Sequence, residues 1–229
     1  MTALAFFITG TDTGIGKTRV ACGLVAALQR QGLRVLAMKP VACGVIEHNG
    51  CMINEDVLAF SELTGQKPDD PRLCPYSLPE PVSPNIAAEH AAISIDLHLI
   101  NDYLTELRSQ AHVVVVEGAG GWLAPLSATQ TMADLACALR LPVILTVGLR
   151  LGCLNHALLT LHALRSSGAT LAGWVANHVD PAMPEVAANI ATLERHIGVP
   201  PLAILPHEAT GNGVREALRG AALQLTACR

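Results

Sequence analysis

The stretch Phe6 to Thr18, FFITGTDTGIGKT, decides how this chain is read. A short apolar run breaks into a turn rich in glycine (Gly10, Gly14, Gly16) and closes on Lys17-Thr18 before a helical pattern begins. A strand that stops abruptly ahead of a helix aims several backbone N–H groups at one point, and polyphosphate is the natural occupant of such a cradle. Lys17 supplies a point charge for the terminal phosphates, and the Thr18 hydroxyl is placed to ligate a magnesium ion carried by a nucleotide. The usual spacing puts the first glycine at position 11, where this chain has Thr11, so the loop is a variant with one extra residue.

Composition agrees with what such a loop requires around it. The 229 residues are 51% hydrophobic but only 3% aromatic, so the core must be built from Val, Ile, Leu and Ala, as in a parallel sheet covered by helices. A single domain of 229 residues is expected. Net charge is −4 without a basic block, which argues against nucleic acid or an anionic membrane as partner. No apolar run reaches the roughly 18 to 20 residues of a spanning helix, and the N-terminus lacks a basic signal-like region. Seven cysteines without a Cys-x-x-Cys pair read as small buried residues in a reducing, cytoplasmic setting.

Moving outward from the loop, Ala3 to Thr9 predicts a first strand, and Lys17 to about Gln31 a helix with Val20, Leu24, Ala27 and Leu28 on one face. Arg34 to Met38 predicts a second strand, taken as neighbour of the first, which delivers Lys39 and stops at Pro40. After a polar loop, Asn54 can cap a helix to about Thr64, closed by Gly65. Six prolines between Lys67 and Pro84 (Pro68, Pro71, Pro75, Pro79, Pro81 and Pro84) predict an irregular, ordered surface excursion. A helix from about Asp96 to Gln110 leads into four consecutive valines, Val113 to Val116, the mark of a strand buried on both faces. Further strands are expected at 142–147, 171–176 and 202–205, with helices at 132–140 and 154–167. This alternation predicts a doubly wound, mostly parallel α/β sheet flanked by helices, of the phosphate-loop NTP hydrolase kind, with ligands at the carboxyl ends of the strands.

Several residues fall at those ends. Glu117 follows the valine run beside the phosphate loop, where a carboxylate can hold magnesium directly or through water. Asp56 is a second acid, although the first turn of a helix attracts an Asp for electrostatic reasons alone. Lys39 either points into the same cleft or is one more surface lysine. Gly118, Gly120 and Gly121 permit close backbone approach or simply a tight turn. Gly152-Cys153-Leu154-Asn155 opens a helix whose free N–H groups can receive a carboxylate, and ordinary capping explains Asn155 equally well. His156, His178 and His207 have no partner at zinc-ligand spacing.

Taken in order, GTDTGIGKT from Gly10, KPVACG from Lys39, EPVSP from Glu80, VEGAGGWLAPL from Val116, LGCLNHALLT from Leu151 and GWVANHV from Gly173 resemble the dethiobiotin synthetase family of biotin biosynthesis, over nearly the whole chain. The resemblance implies a homodimeric α/β enzyme that closes the ureido ring of dethiobiotin from diaminopelargonic acid, carbon dioxide and ATP with magnesium. It implies nucleotide contacts at Thr13, Gly14, Ile15, Gly16, Lys17, Thr18 and Arg19, at Asp56, at Glu117, Gly118, Ala119 and Gly120, and on the adenine side at Asn177, His178, Pro206 and His207. Thr18, Asp56 and Glu117 would hold magnesium; Lys17, Lys39 and Thr13 would act in catalysis; Thr13, Lys39 and Cys43 would meet the substrate. Gly152, Cys153 and Asn155 match the segment that receives the substrate's distal carboxylate from the other subunit.

Two positions depart from the family pattern: Gly14 stands where a glutamate is frequent, and Cys43 where a serine is common. A thiol donates more weakly than a hydroxyl, and one ordinary hydrogen bond is worth about 0.5 to 1.5 kcal/mol. Two other readings compete. A partner-regulated ATPase switch of the deviant phosphate-loop class carries a signature lysine five residues before the loop lysine, and this chain has Asp12 there. An amide ligase of the cobyric acid type needs a glutaminase domain, for which 229 residues leave no room.

Overall fold

A computed structural model describes residues 3–48 and 50–227. In chain order the elements are β1 (Leu4–Gly10), α1 (Lys17–Gln29), β2 (Val35–Met38), β3 (Val41–Cys43), β4 (Ile46–His48), β5 (Cys51–Ile53), α2 (Glu55–Thr64), β6 (Tyr76–Leu78), α3 (Pro84–His90), α4 (Leu97–Gln110), β7 (Val113–Glu117), α5 (Met132–Leu139), β8 (Val143–Leu149), α6 (Cys153–Ser166), β9 (Leu171–His178), α7 (Val186–Ile197), β10 (Ala203–Leu205), α8 (Gly211–Ala217) and α9 (Arg219–Thr226).

Six strands form one wholly parallel sheet in the order β10-β9-β8-β1-β7-β2. From β1 the chain crosses outward to β2, returns to insert β7, and then builds β8, β9 and β10 on the opposite side of β1. The direction of winding reverses at β1, and the crevice at the carboxyl ends of the strands around such a switch point is where these sheets bind ligands. The valine run behaves as its lack of alternation requires: Val113 and Val115 join the apolar cluster under α1, whereas Val114 and Val116 face the cluster under α4 and α5. A third cluster, centred on Trp174, Leu145 and Val147, lies under α6 and α7.

The local chemistry of several boundaries is visible. Asn54 caps α2 by accepting from the Asp56 N–H at 2.9 Å, and Gly65 ends that helix at φ 72°, a backbone setting that favours glycine. Asp96 caps α4 through the His98 N–H, and Thr131 with Asp134 forms a reciprocal capping box on α5.

Three expectations need correcting. β2 does not neighbour β1, because β7 lies between them; Lys39 therefore stands beside Glu117. The polar loop after Pro40 contains β3 and the antiparallel pair β4/β5, and the proline-rich segment contains β6, which pairs in parallel with β3. These strands are three residues long, too short to show alternation. Prolines are tolerated there because they flank the short ladder: Tyr76 N–H donates to the Pro40 carbonyl and Lys39 N–H to that of Leu73. Among the described residues, no helix is long and apolar enough to cross a membrane.

Candidate active site

The phosphate loop hangs from the end of β1 and is fixed from below and from both sides. Ile15 is buried, its side chain filling the space that a Cβ on Gly10 or Gly148 would need. The loop carbonyl of Ile15 accepts from Asn177 Nδ2 at 2.7 Å, and Thr11 N–H donates to the Thr146 carbonyl at 3.1 Å. Gly14 and Gly16 hold φ of 72° and 84°, so the turn can reverse direction into α1 without Cβ strain. Asp12 organises the outer side: its carboxylate accepts from Thr13 N–H at 2.7 Å and from Arg150 Nη2 at 2.5 Å.

Lys17 is 7% exposed, and its ammonium donates to the Asp12 carbonyl at 2.9 Å. Burial, with the nearby charge of Lys39, lowers its pKa to about 8; a bound polyanion would restore the preference for the charged form.

Across the cleft four side chains converge. Thr18 Oγ1 lies 2.7 Å from Asp56 Oδ1 and 2.8 Å from Glu117 Oε1. Lys39 Nζ lies 2.6 Å from Asp56 Oδ2 and 2.8 Å from Glu117 Oε1. A hydroxyl has one proton to give, so Thr18 stands against two acid oxygens while satisfying one at a time. Burial opposes charge on Lys39, but Glu117 and Asp56 outweigh it and hold the ammonium firmly protonated. For Asp56 burial is likewise outweighed, chiefly by the Lys39 charge, and its pKa falls. Glu117 is 1% exposed, and there burial wins, assisted by repulsion from Asp56, so its pKa rises in spite of Lys39. Glu117 Oε2 is buried and accepts no hydrogen bond.

These groups line a cleft of about 820 Å³, together with Thr13, Gly14, Gly16, Cys43, Asn54, Ala119, Gly120 and the segment Pro81 to Pro84. The proline-rich excursion thus supplies a wall. Asn54 does more than cap α2: its Nδ2 donates to the carbonyls of Cys43 and Gly44 at 3.2 and 2.7 Å, joining the cleft floor to the helix that carries Asp56. Replacing it with alanine removes the cap and both floor contacts. Asn54→Ala is expected to lower stability by about 1 to 2 kcal/mol, read as a lower urea midpoint, and to weaken binding of the magnesium nucleotide through Asp56. An unchanged midpoint would contradict the double role.

The remaining sequence candidates divide into two groups. Asn177, His178, Pro206 and His207 sit beyond the phosphate loop on the β9/β10 side, with His207 Nδ1 3.3 Å from the His178 carbonyl and the two rings edge to face. Gly152, Cys153 and Asn155 are not brought into the cleft of their own chain: Gly152 is the N-cap of α6 at φ 92°, and Cys153, the first residue of that helix, is buried. A separate cleft of about 710 Å³ at the outer edge of β2 mixes Arg34, Lys67 and Arg72 with Asp69, Asp70 and Glu106 and focuses no single charge. No sequence signal announces the Asp12–Arg150 pair, which joins loops distant in sequence, or the floor contacts of Asn54, for which no motif exists.

A family model described as an AAA domain matches residues 5–213. An ATP-dependent dethiobiotin synthetase from Xanthomonas axonopodis pv. citri is 48% identical over 196 residues, covering 86% of this chain and 88% of that protein. Another from Xylella fastidiosa is 46% identical over 211 residues, covering 92% and 93%. The chain belongs to the ATP-dependent dethiobiotin synthetase family. Among solved structures, the MinC:MinD cell division protein complex of Aquifex aeolicus matches with TM-score 0.62 at 15% identity, over 98% of this chain and 96% of that one. The cell division ATPase MinD of Pyrococcus furiosus matches with TM-score 0.57 at 17% identity, over the full length of both. Similarity at that level of identity establishes a shared phosphate-loop fold and no shared activity.

Proposed function

We propose that this synthetase-family chain is a cyclo-ligase, built on one domain, that forms dethiobiotin from diaminopelargonic acid, carbon dioxide and ATP. One amine of the diamine adds to carbon dioxide and loses a proton, giving a carbamate. A carbamate oxygen attacks the γ-phosphorus of ATP and ADP leaves, producing a carbamic-phosphoric anhydride. The second amine attacks the carbonyl carbon and gives up a proton, phosphate departs, and the ureido ring closes. ATP is needed because a carbamate oxygen is a poor leaving group and phosphate is a good one.

The observation that carries this reading is the convergence of Thr18, Lys39, Asp56 and Glu117 within 2.6 to 2.8 Å at the mouth of the phosphate loop. The set fits a magnesium ion: all candidate ligands are oxygens, one Glu117 oxygen lacks a partner, and the Thr18-to-acid spacings are close to the about 2.9 Å edge implied by ligand distances of 2.0 to 2.1 Å. Thr18, Asp56 and Glu117 would hold the ion, with water and nucleotide phosphate completing its shell. Bound there, magnesium supplies charge neutralisation for the transferring phosphoryl group.

The chain's own groups divide the remaining work. Backbone N–H groups of residues 14–18 orient the phosphates, and Lys17 follows the transferred group. Lys39 adds a second cation for the carbamate oxygens as negative charge migrates, while Thr13 and Cys43 border the same space. Gly152, Cys153 and Asn155 would complete the substrate site from a second copy; the exposed Leu151 beside them, at 89%, and Leu159, at 62%, support an apolar contact there. The reading carries with it the expected cytoplasmic setting.

Among the described residues, the carboxylates at the phosphate end, Asp56 and Glu117, are engaged by Thr18 and Lys39 and are the proposed magnesium ligands, which leaves neither as a dedicated base for water. Phosphate release from ATP is therefore expected to require both the diamine and bicarbonate, and to fall by at least tenfold when either is omitted. Equal ATPase activity without the diamine would sink the reading and favour an ATPase switch.

A further inference from the structure

Arg19 is the third residue of α1, directly after Lys17 and Thr18, yet its guanidinium turns away from the cleft. Nη1 donates to Asn177 Oδ1 at 2.9 Å, and Nη2 to the carbonyls of Pro206 at 2.6 Å and Ala209 at 2.8 Å, with that of His207 at 3.3 Å. Asn177, 1% exposed, carries the connection onward by donating to the Ile15 carbonyl of the phosphate loop. Apart from Arg19, the segment held by Nη2 is tied by its own Ala209 N–H to the Pro206 carbonyl at 3.2 Å, by His207 Nδ1 against the His178 carbonyl at 3.3 Å and by Ala209 against the core. Pro206, His207 and Glu208 are all exposed, and the segment follows β10, a three-residue strand at the edge of the sheet. A planar fork with several fixed donors can gather convergent carbonyls in one geometry, which a point-charge ammonium does poorly.

We propose that Arg19 is a positioning residue for the nucleoside end of ATP: it makes no phosphate contact and fixes the 206–209 turn against Asn177, so that nucleoside recognition is set in register with the phosphate loop. This rests on the reading above that residues 177–178 and 206–207 form the nucleoside side of an ATP site. The guanidinium is committed to four oxygens of the protein, and the turn it fastens bears His207, whose ring stands 6.1 Å from that of His178. Loss of the fork releases the turn while leaving the loop glycines, Lys17 and Thr18 where they are.

Inorganic tripolyphosphate separates the two halves of the site, because it offers the phosphate chain without a nucleoside. Binding of magnesium tripolyphosphate and of a non-hydrolysed magnesium ATP analogue is to be measured by calorimetry on the full chain and on Arg19→Met and Arg19→Lys. Arg19→Met is expected to bind the ATP analogue at least tenfold more weakly and tripolyphosphate within twofold of the unmodified chain. Arg19→Lys, which keeps the charge and loses the fork, should stay on the weakened side and also lose discrimination between ATP and GTP. In turnover, KM for ATP should rise at least tenfold while kcat changes by less than threefold. A parallel loss of both ligands in Arg19→Met, or no loss of the ATP analogue in either variant, overturns the proposal. Should the unmodified chain bind tripolyphosphate as tightly as the ATP analogue, the nucleoside reading itself falls and the proposal falls with it. Amide exchange on Arg19→Lys, which keeps the helix and its charge, gives a readout independent of affinity: faster exchange at 207–209 with unchanged protection in α1 supports the proposal, and unchanged exchange at 207–209 contradicts it.

Discussion

Lys39→Gln is expected to lower kcat/KM by roughly 10²- to 10³-fold, while the affinity for magnesium ATP stays within a few-fold of the unmodified chain. The ammonium is not among the loop groups that hold the phosphate chain; it stands across the cleft on Asp56 and Glu117, and its charge is needed as the carbamate reacts. The same substitution carries a second signature. Lys39 is 4% exposed and serves as counter-charge to two acids, one of them fully enclosed. Removing one member of a buried ion pair costs about 3 to 5 kcal/mol, and Asp56, one-third exposed at 32%, should bring the loss toward the lower figure. Lys39→Gln should therefore melt earlier than the unmodified chain without metal, and gain more from magnesium ATP, because the divalent ion returns positive charge to the acids. Unchanged turnover would remove Lys39 from the reaction; a variant equally stable without metal would show that the acids do not depend on it.

Gly16→Ala should abolish productive nucleotide binding, with a loss of at least 100-fold in kcat/KM. Gly16 holds φ 84°, and a Cβ built there would lie 2.2 Å from Asn177 Nδ2. Left-handed backbone alone costs an L-residue about 1 to 2 kcal/mol. The clash adds to this by expelling an amide that supports the Ile15 carbonyl and receives Arg19. Gly14→Ala is the control: φ is 72°, but nothing lies within 4 Å of the added atom, so backbone strain alone predicts a loss of roughly five- to 30-fold. If the two variants behave alike, the packing of Asn177 against the loop is not what holds it.

The contrast between those glycines shows where sequence reading succeeds and where it stops. FFITGTDTGIGKT declares its strand, turn and helix because each has a local cause: apolar residues, glycines in left-handed settings and helix formers follow one another within 13 positions. Val113 to Val116 declares burial on both faces for an equally local reason, and Asn54 and Gly65 bracket α2 by chemistry confined to their own turns. The order of the strands is different. Nothing near Lys39 says that β7 will lie between β2 and β1, so the meeting of Lys39 with Glu117 was readable only as proximity to a common cleft. The β3/β6 pair is not legible in the sequence because three-residue strands carry no period and prolines flank one of them. In sequence Arg19 is one more residue beside the phosphate loop; that its fork reaches carbonyls 187 to 190 positions away is a property of the folded sheet.

The likeness to MinD is one of fold alone and does not favour the ATPase-switch reading. Asp12 occupies the place of the switch class's signature lysine, and its carboxylate is engaged by Thr13 of its own loop and by Arg150 of the loop after β8.

The most direct test is to incubate the protein with diaminopelargonic acid, ¹³C-bicarbonate and magnesium ATP and to identify the product by mass spectrometry. The account predicts dethiobiotin carrying one ¹³C in the ureido carbonyl, formed in equal amount with ADP and phosphate. Release of ADP and phosphate with no labelled ring product would contradict it.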